Sequence, residues 1–243
     1  MPKHQCQQRR TEQQRNSAEH QMLRRLCLIG AMLTMLAAPA EADWTVATFI
    51  GAAHTKTDRL ILVLPSTRVV ILEPVAFESR SFRPPLYYGA RLAHFFGPGS
   101  FWGIEGEQIH LKIFARPPSE TEPGTEFAMS HGLNLVLANL ILRTPAAGNN
   151  RRVRRILLTA RAGIGPTIPH VEANLFGQRQ QGYQFGRLAM AAAGGVELQI
   201  AQHIGLLAEY KVTHTQQRVD VGDMNVRTRV LTHHGVVGLT WRL

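Results

Sequence analysis

The sequence predicts an all-β chain, an eight-stranded antiparallel up-and-down transmembrane β-barrel, and three observations predict it. Segment after segment between Trp44 and Leu243 alternates with a period of two, small or polar residues against larger apolar ones. That period belongs to strands whose two faces meet different surroundings. The connections between these segments alternate long and short without exception, as in a barrel with short turns at one end and long loops at the other. Beyond the first 42 residues no stretch reaches the length of about 18 apolar residues that marks a spanning helix, although 44% of the chain is hydrophobic.

At the front, residues 1–25 are polar and basic with no apolar periodicity, a composition that builds no core. Arg24 and Arg25 precede the apolar run 26–36, and Ala40-Glu41-Ala42 follows it with small residues. These are the three parts of a secretory signal. Residues 1–42 are therefore expected to be an N-terminal extension and signal peptide, with Met22 a candidate start and cleavage after Ala42. Residues 43–243 then form the barrel domain, and its expected location is the bacterial outer membrane. Both cysteines, Cys6 and Cys27, fall before the cut, which excludes a disulfide framework, thiolate metal sites and cysteine nucleophiles from the mature chain. The net charge of +10 in an exported protein points away from nucleic acid and toward an anionic partner outside the inner membrane.

The expected strands are 44–54, 87–96, 101–114, 133–143, 152–165, 187–199, 203–213 and 228–243. In the seventh, Ile204, Leu206, Ala208, Tyr210 and Val212 oppose Glu209, Lys211 and Thr213. In the last, Val237, Leu239, Trp241 and Leu243 oppose Gly238, Thr240 and Arg242. The charges Arg91, Glu105, Glu107, Arg161, Glu197, Glu209 and Lys211 are expected to fill the lumen as ion-pair ladders, the interior of a small barrel having room for side chains and little else. Within the first long gap, 60–64 and 68–72 flank Pro65-Ser66-Thr67 as a hairpin. It either extends the wall above the membrane or adds a pair, making ten strands; each arm is about half of a spanning strand, which favours eight.

With the N-terminus periplasmic, the long connections lie outside. His54, His110, His131, His170 and His214 then converge on the outer rim, with Lys56, Lys112, Glu172 and Asn174 beside them. His94 is expected near the same edge. Histidine ligates metals and moves protons near neutral pH, and His170 and Glu172, two apart on an extended segment, point the same way. The alternative for each histidine is an ordinary polar residue contacting headgroups or solvent. No HExxH box, Gly-rich phosphate loop or GxSxG elbow occurs.

The segments SFRPPLYYGARLAHFF, WGIEGEQIHLKIFA, SHGLNLVLANLILR, ARAGIGPTIPHVEAN and LLAEYKVTHT, in this order, resemble the lipid A oxidase-like family of small outer-membrane barrels. The resemblance implies oxygen-dependent oxidation of the proximal glucosamine of lipid A to a 2-aminogluconate unit, with lipid A or lipopolysaccharide and outer-membrane lipid as partners. With that substrate at the outer rim, the placement of the residues there suggests that Lys56, Lys112 and Asn174 would bind it. His110, His131, His170 and Glu172 would be catalytic, and His131, His170 and Glu172 would hold a divalent metal ion, with molecular oxygen as acceptor. The rival expectation is a non-catalytic barrel of the OmpA/OmpX sort; a lesser one is acyl transfer or deacylation on the same scaffold.

Overall fold

The computed structural model describes residues 43–66, 68–97, 100–116, 126–146 and 155–243. The expected signal, the 97–100 turn in part and most of the arginine-rich 151–155 run lie outside them. Eleven strands are formed: β1 (Asp43–Thr55), β2 (Asp58–Val63), β3 (Val69–Glu78), β4 (Tyr88–Phe95), β5 (Trp102–Arg116), β6 (Glu126–Pro145), β7 (Ile156–Leu175), β8 (Gln178–Tyr183), β9 (Leu188–Gln199), β10 (Ile204–Val221) and β11 (Met224–Arg242). Eight of them, β1, β4, β5, β6, β7, β9, β10 and β11, pair in that order, all antiparallel. The first and last close the ring through eleven registered pairs, from Thr45↔Arg242 to Thr55↔Thr232.

Above this ring stands a second tier. Where β1 and β4 end, the β2–β3 hairpin takes their place, β2 pairing with β11 and β3 with β5. Where β9 begins, β8 has already taken its place beside β7. The free edge of β8 is joined to β10 and its turn by side-chain amides. Gln184 Nε2 donates to the Asp220 carbonyl at 2.7 Å, Asp220 N donates to Gln184 Oε1 at 2.9 Å, and Asp223 N donates to Gln178 Oε1 at 3.0 Å. The hairpin is thus a wall extension, and eight staves cross the membrane.

The tiers are filled differently. In the lower one three cations and three carboxylates interlock at mid-height, while nearer the C-terminal end Glu197 pairs with Arg242 at 3.1 Å and Asp43 with Arg143. Arg91 meets Glu107 at 2.8 Å and also binds Glu209; Arg161 meets Glu105 at 3.1 Å and also binds Glu209; Lys211 binds Glu107. Asn139 Nδ2 donates to Glu105 at 2.9 Å and Glu107 at 3.0 Å, and the Arg91 guanidinium lies 4.4 Å from the Phe49 ring centre. Charges held this far from water are tolerable only when paired and hydrogen-bonded. Above a band of buried threonines and Gln217, the top of the interior is apolar: Leu60, Leu62, Val75, Ile113, Met129, Val171, Leu175, Val221 and Val226 are all buried there. The expected ion-pair ladders are present in the lower tier; the apolar core above them was not expected.

Outside, the polarity reverses. Down the paired faces of β10 and β11 the outward residues run Ile204/Trp241, Leu206/Leu239, Ala208/Val237, Tyr210/Gly235, Val212/His233, His214/Leu231, Gln216/Arg229 and Arg218/Arg227. The apolar part spans about ten residues per strand, the length of a tilted membrane-crossing strand. Ile50, Leu92, Ile104, Val136, Leu140, Leu158, Met190 and Val196 continue this exposed apolar belt around the barrel. His233 is accounted for by Tyr210, whose hydroxyl lies 2.5 Å from its Nδ1 at the top of the belt. His234 points inward between Tyr87 and Thr213. His94, expected at the outer edge, is at the opposite end, its ring 4.6 Å from that of Trp44.

Candidate functional site

The residues expected on outer loops are on strands. β6 and β7 continue past the belt, so 126–132 and 166–175 are wall rather than loop. Inward positions of β7 here are Pro169, Val171 and Ala173, buried in the upper core; His170, Glu172 and Asn174 therefore face outward. Opposite them β6 breaks register between Ala128 and Leu133. In this irregular stretch Gly132 has a φ of +119°, which a β-carbon would strain. A side chain there would also strike the His110 ring, 2.3 Å from its Cε1.

The irregularity swings His131 onto the outer face of β7. Its Nδ1 lies 2.6 Å from Glu172 Oε1, and His170 Nδ1 lies 3.7 Å from the same oxygen. One donor atom from each of His131, His170 and Glu172 falls within 4.8 Å of the other two. The two imidazole centres are 4.7 Å apart, and Tyr183 of β8 packs edge-on against His170 at the same distance. Ser130 Oγ is 3.1 Å from His131 Nδ1. The Ser130 hydroxyl, then the His131 ring, hold the Glu172 carboxyl below its ordinary value of 4.5 against the opposing effect of partial burial. His170 Nδ1 is buried and has no hydrogen-bond partner among the described residues. Two imidazoles and a carboxylate suit a divalent transition metal, and an unpartnered ring nitrogen facing the carboxylate is what such a site leaves for a cation.

The other expected residues are placed less centrally. His110 is buried beside the cluster, outside ligand distance: its Nδ1 is 2.9 Å from Asn134 Oδ1, and its ring stacks on Tyr88 at 4.9 Å. Lys112 is covered by the segment before β4, its ammonium donating to the carbonyls of Arg83 at 2.6 Å and Pro84 at 3.2 Å. Lys56 is on the far side of the ring, its backbone N–H bonded to the Leu231 carbonyl at 2.9 Å. His54 is with it, registered opposite His233, and His214 lies on β10. The five-histidine rim is therefore spread around the wall, and two of its members meet.

Asn174 does adjoin the cluster. With Glu172 it lines a groove of about 670 Å³ that also takes Arg80, Arg116, Glu126 and Arg179. Arg116 and Arg80 reach Glu78 at 2.6 and 3.3 Å. Arg179 and Tyr183 were missed because 178–183 read as loop, and the pairing His170↔Tyr183 and Asn174↔Arg179 needed it to be a strand; Arg80 and Arg116 fell in the connections 55–86 and 115–132.

No protein-family model matches the chain, and no curated protein matches it. Solved structures do. Neisserial surface protein A is 10% identical with a TM-score of 0.42, covering 84% of this chain and 98% of that one. The outer membrane protein OprG from Pseudomonas aeruginosa is 10% identical with a TM-score of 0.42, covering 83% and 94%. The attachment invasion locus protein Ail of Yersinia pestis is 13% identical with a TM-score of 0.32, covering 80% and 97%. What decides the setting is this chain's own wall: a closed ring, charges inside, an apolar belt outside. It is a small outer-membrane β-barrel. The His131–His170–Glu172 cluster then sits on the outward surface of that barrel, above the lipid-facing belt on the side away from the chain's C-terminus.

Proposed function

We propose that the protein modifies lipid A in the outer leaflet, as an oxygen-dependent oxidase of the proximal glucosamine that yields a 2-aminogluconate unit. The observation that carries this is the meeting of His131, His170 and Glu172 on the outward wall above the apolar belt, where headgroups would lie. A glycolipid sugar lies at that height beside the barrel, whereas a site inside the mouth would require the lipid to leave the membrane. Arg80, Arg116 and Arg179 along the adjoining groove suit the phosphate and Asn174 a sugar hydroxyl.

The reaction removes the anomeric C–H hydrogen and the hydroxyl proton from the lactol, leaving a lactone. Dioxygen takes the two electrons and two protons and leaves as hydrogen peroxide, and water opens the lactone to the open acid. Glu172, held ionised, is placed to accept the hydroxyl proton, with His131 to share it. A divalent cation bound by His131, His170 and Glu172 would supply Lewis acidity toward the sugar and a path for dioxygen chemistry. The test is mass spectrometry of lipid A from aerated cells with and without the protein. A gain of one oxygen atom on the proximal sugar, lost with His170→Ala and after chelation, is expected. Unchanged lipid A with the barrel inserted would overturn the oxidase.

One observation favours a non-catalytic barrel instead. The close His131–Glu172 contact satisfies both groups without any ligand, and the same lipid analysis separates the two.

A further inference from the structure

On the wall built by β2, β10 and β11, a quarter-turn or more from the histidine cluster, five arginines gather around a recess of about 210 Å³: Arg59, Arg187, Arg218, Arg227 and Arg229. Two rows of the sheet supply four of them. Arg218 of β10 is registered directly opposite Arg227 of β11, and Arg229 lies across from Gln216, with Arg59 of β2 continuing that row. Like charges directly opposite one another cost a sheet stability. Among the described residues none of the five forms an ion pair. Arg227 Nε donates to Asn225 at 3.0 Å, and the acid farther along β10, Asp220, is taken by the Asn225 amide at 2.8 Å. Lys56, bonded through its backbone to Leu231 two residues from Arg229, adds a sixth cation at the margin.

We infer that this surface binds the phosphorylated headgroup of an outer-leaflet lipid, held against the barrel as a structural partner. Guanidinium forks match phosphate oxygens in pairs, and a phosphate here turns the repulsion between Arg218 and Arg227 into a shared contact. A lipid rather than a free anion is indicated by position. Below the arginines the outward rows of the same two strands pass through His214/Leu231 and Val212/His233 to Tyr210, Val237, Leu206 and Leu239, so headgroup and acyl chains meet one face of the same strand pair. The inference stands independently of the histidine cluster and of any reaction there.

The full chain is reconstituted in phosphatidylcholine nanodiscs, alone or with bisphosphorylated lipid A, and compared with R218Q/R227Q by thermal unfolding and by mass spectrometry of retained lipid. Without lipid A the double variant should unfold at the higher temperature, because a repulsion has been removed. With lipid A the order should reverse, retention by the variant should fall about tenfold, and added salt should shrink the difference. The single variant R229Q should show the same loss in part, which covers the case in which the double variant fails to insert. Equal stabilisation of both proteins by lipid A would overturn the inference. So would stabilisation of the wild type by inorganic pyrophosphate to the same extent, which would mean an anion site without a lipid.

Discussion

The Glu172 carboxyl shows how a single residue's surroundings set its charge state. Because the Ser130 hydroxyl and the His131 ring lower its pKa, its contribution to the cluster is complete above the ordinary value of 4.5 and disappears only as pH falls through a lower folded-state value. A carboxyl-carbon NMR titration should therefore find a midpoint below 4.5, moving up toward it in Ser130→Ala. A midpoint unmoved by that change would remove Ser130 from the cause. Gly132 is a second such residue. Gly132→Ala forces a β-carbon into the His110 ring at a φ of +119°, at a cost of roughly 1–3 kcal/mol. Displacement of His131 should follow, seen as weakened binding of a probe cation such as cobalt(II) while the barrel remains folded. The two-residue spacing of His170 and Glu172 made their shared face legible in the sequence. Their outward direction was not, because it depends on Val171 and Ala173 entering an apolar core that only the closed second tier creates.

At the scale of the element, β10 explains why the strands were read too short. Below Val212 its outward residues are apolar and its inward ones charged, so the period of two is plain. Above, Thr213, Thr215 and Gln217 point inward while His214, Gln216 and Arg218 point outward. Both faces are polar there, and the hydrophobic pattern vanishes while the strand continues. The β2–β3 hairpin was visible for the opposite reason, Leu60 and Leu62 being buried in the apolar core. Each such side chain is worth about 1.5–3 kcal/mol when buried. Replacing residues 58–78 by a short Gly/Ser linker should therefore expose the upper core. Limited proteolysis is expected to cut the second tier in this variant, whereas the lower ring, closed by β1 and β11, should keep its resistance to protease. Loss of both together would show the tiers to be one cooperative unit.

For the molecule as a whole, the lower interior holds at mid-height a network in which Glu209 binds Arg91 and Arg161 and Glu107 binds Arg91 and Lys211. Its members were legible one by one as charges flanked by apolar residues; apart from Arg91 and Glu107, opposed across the β4–β5 hairpin, their partners were not, since those pairs join strands distant in sequence. Removing one cation strands its carboxylates. Arg91→Leu should cost about 3–5 kcal/mol, read as a lower urea midpoint in detergent, and the double change with Glu107→Gln should recover part of it. Among the described residues both tiers are packed inside, and the metal-ligand-type cluster is on the outer wall. The wall position of His131, His170 and Glu172 therefore sets how anything reaches them. A molecule anchored in the leaflet arrives and departs by drifting in the plane of the membrane. Encounter then follows its density per unit area, not its concentration in the surrounding water.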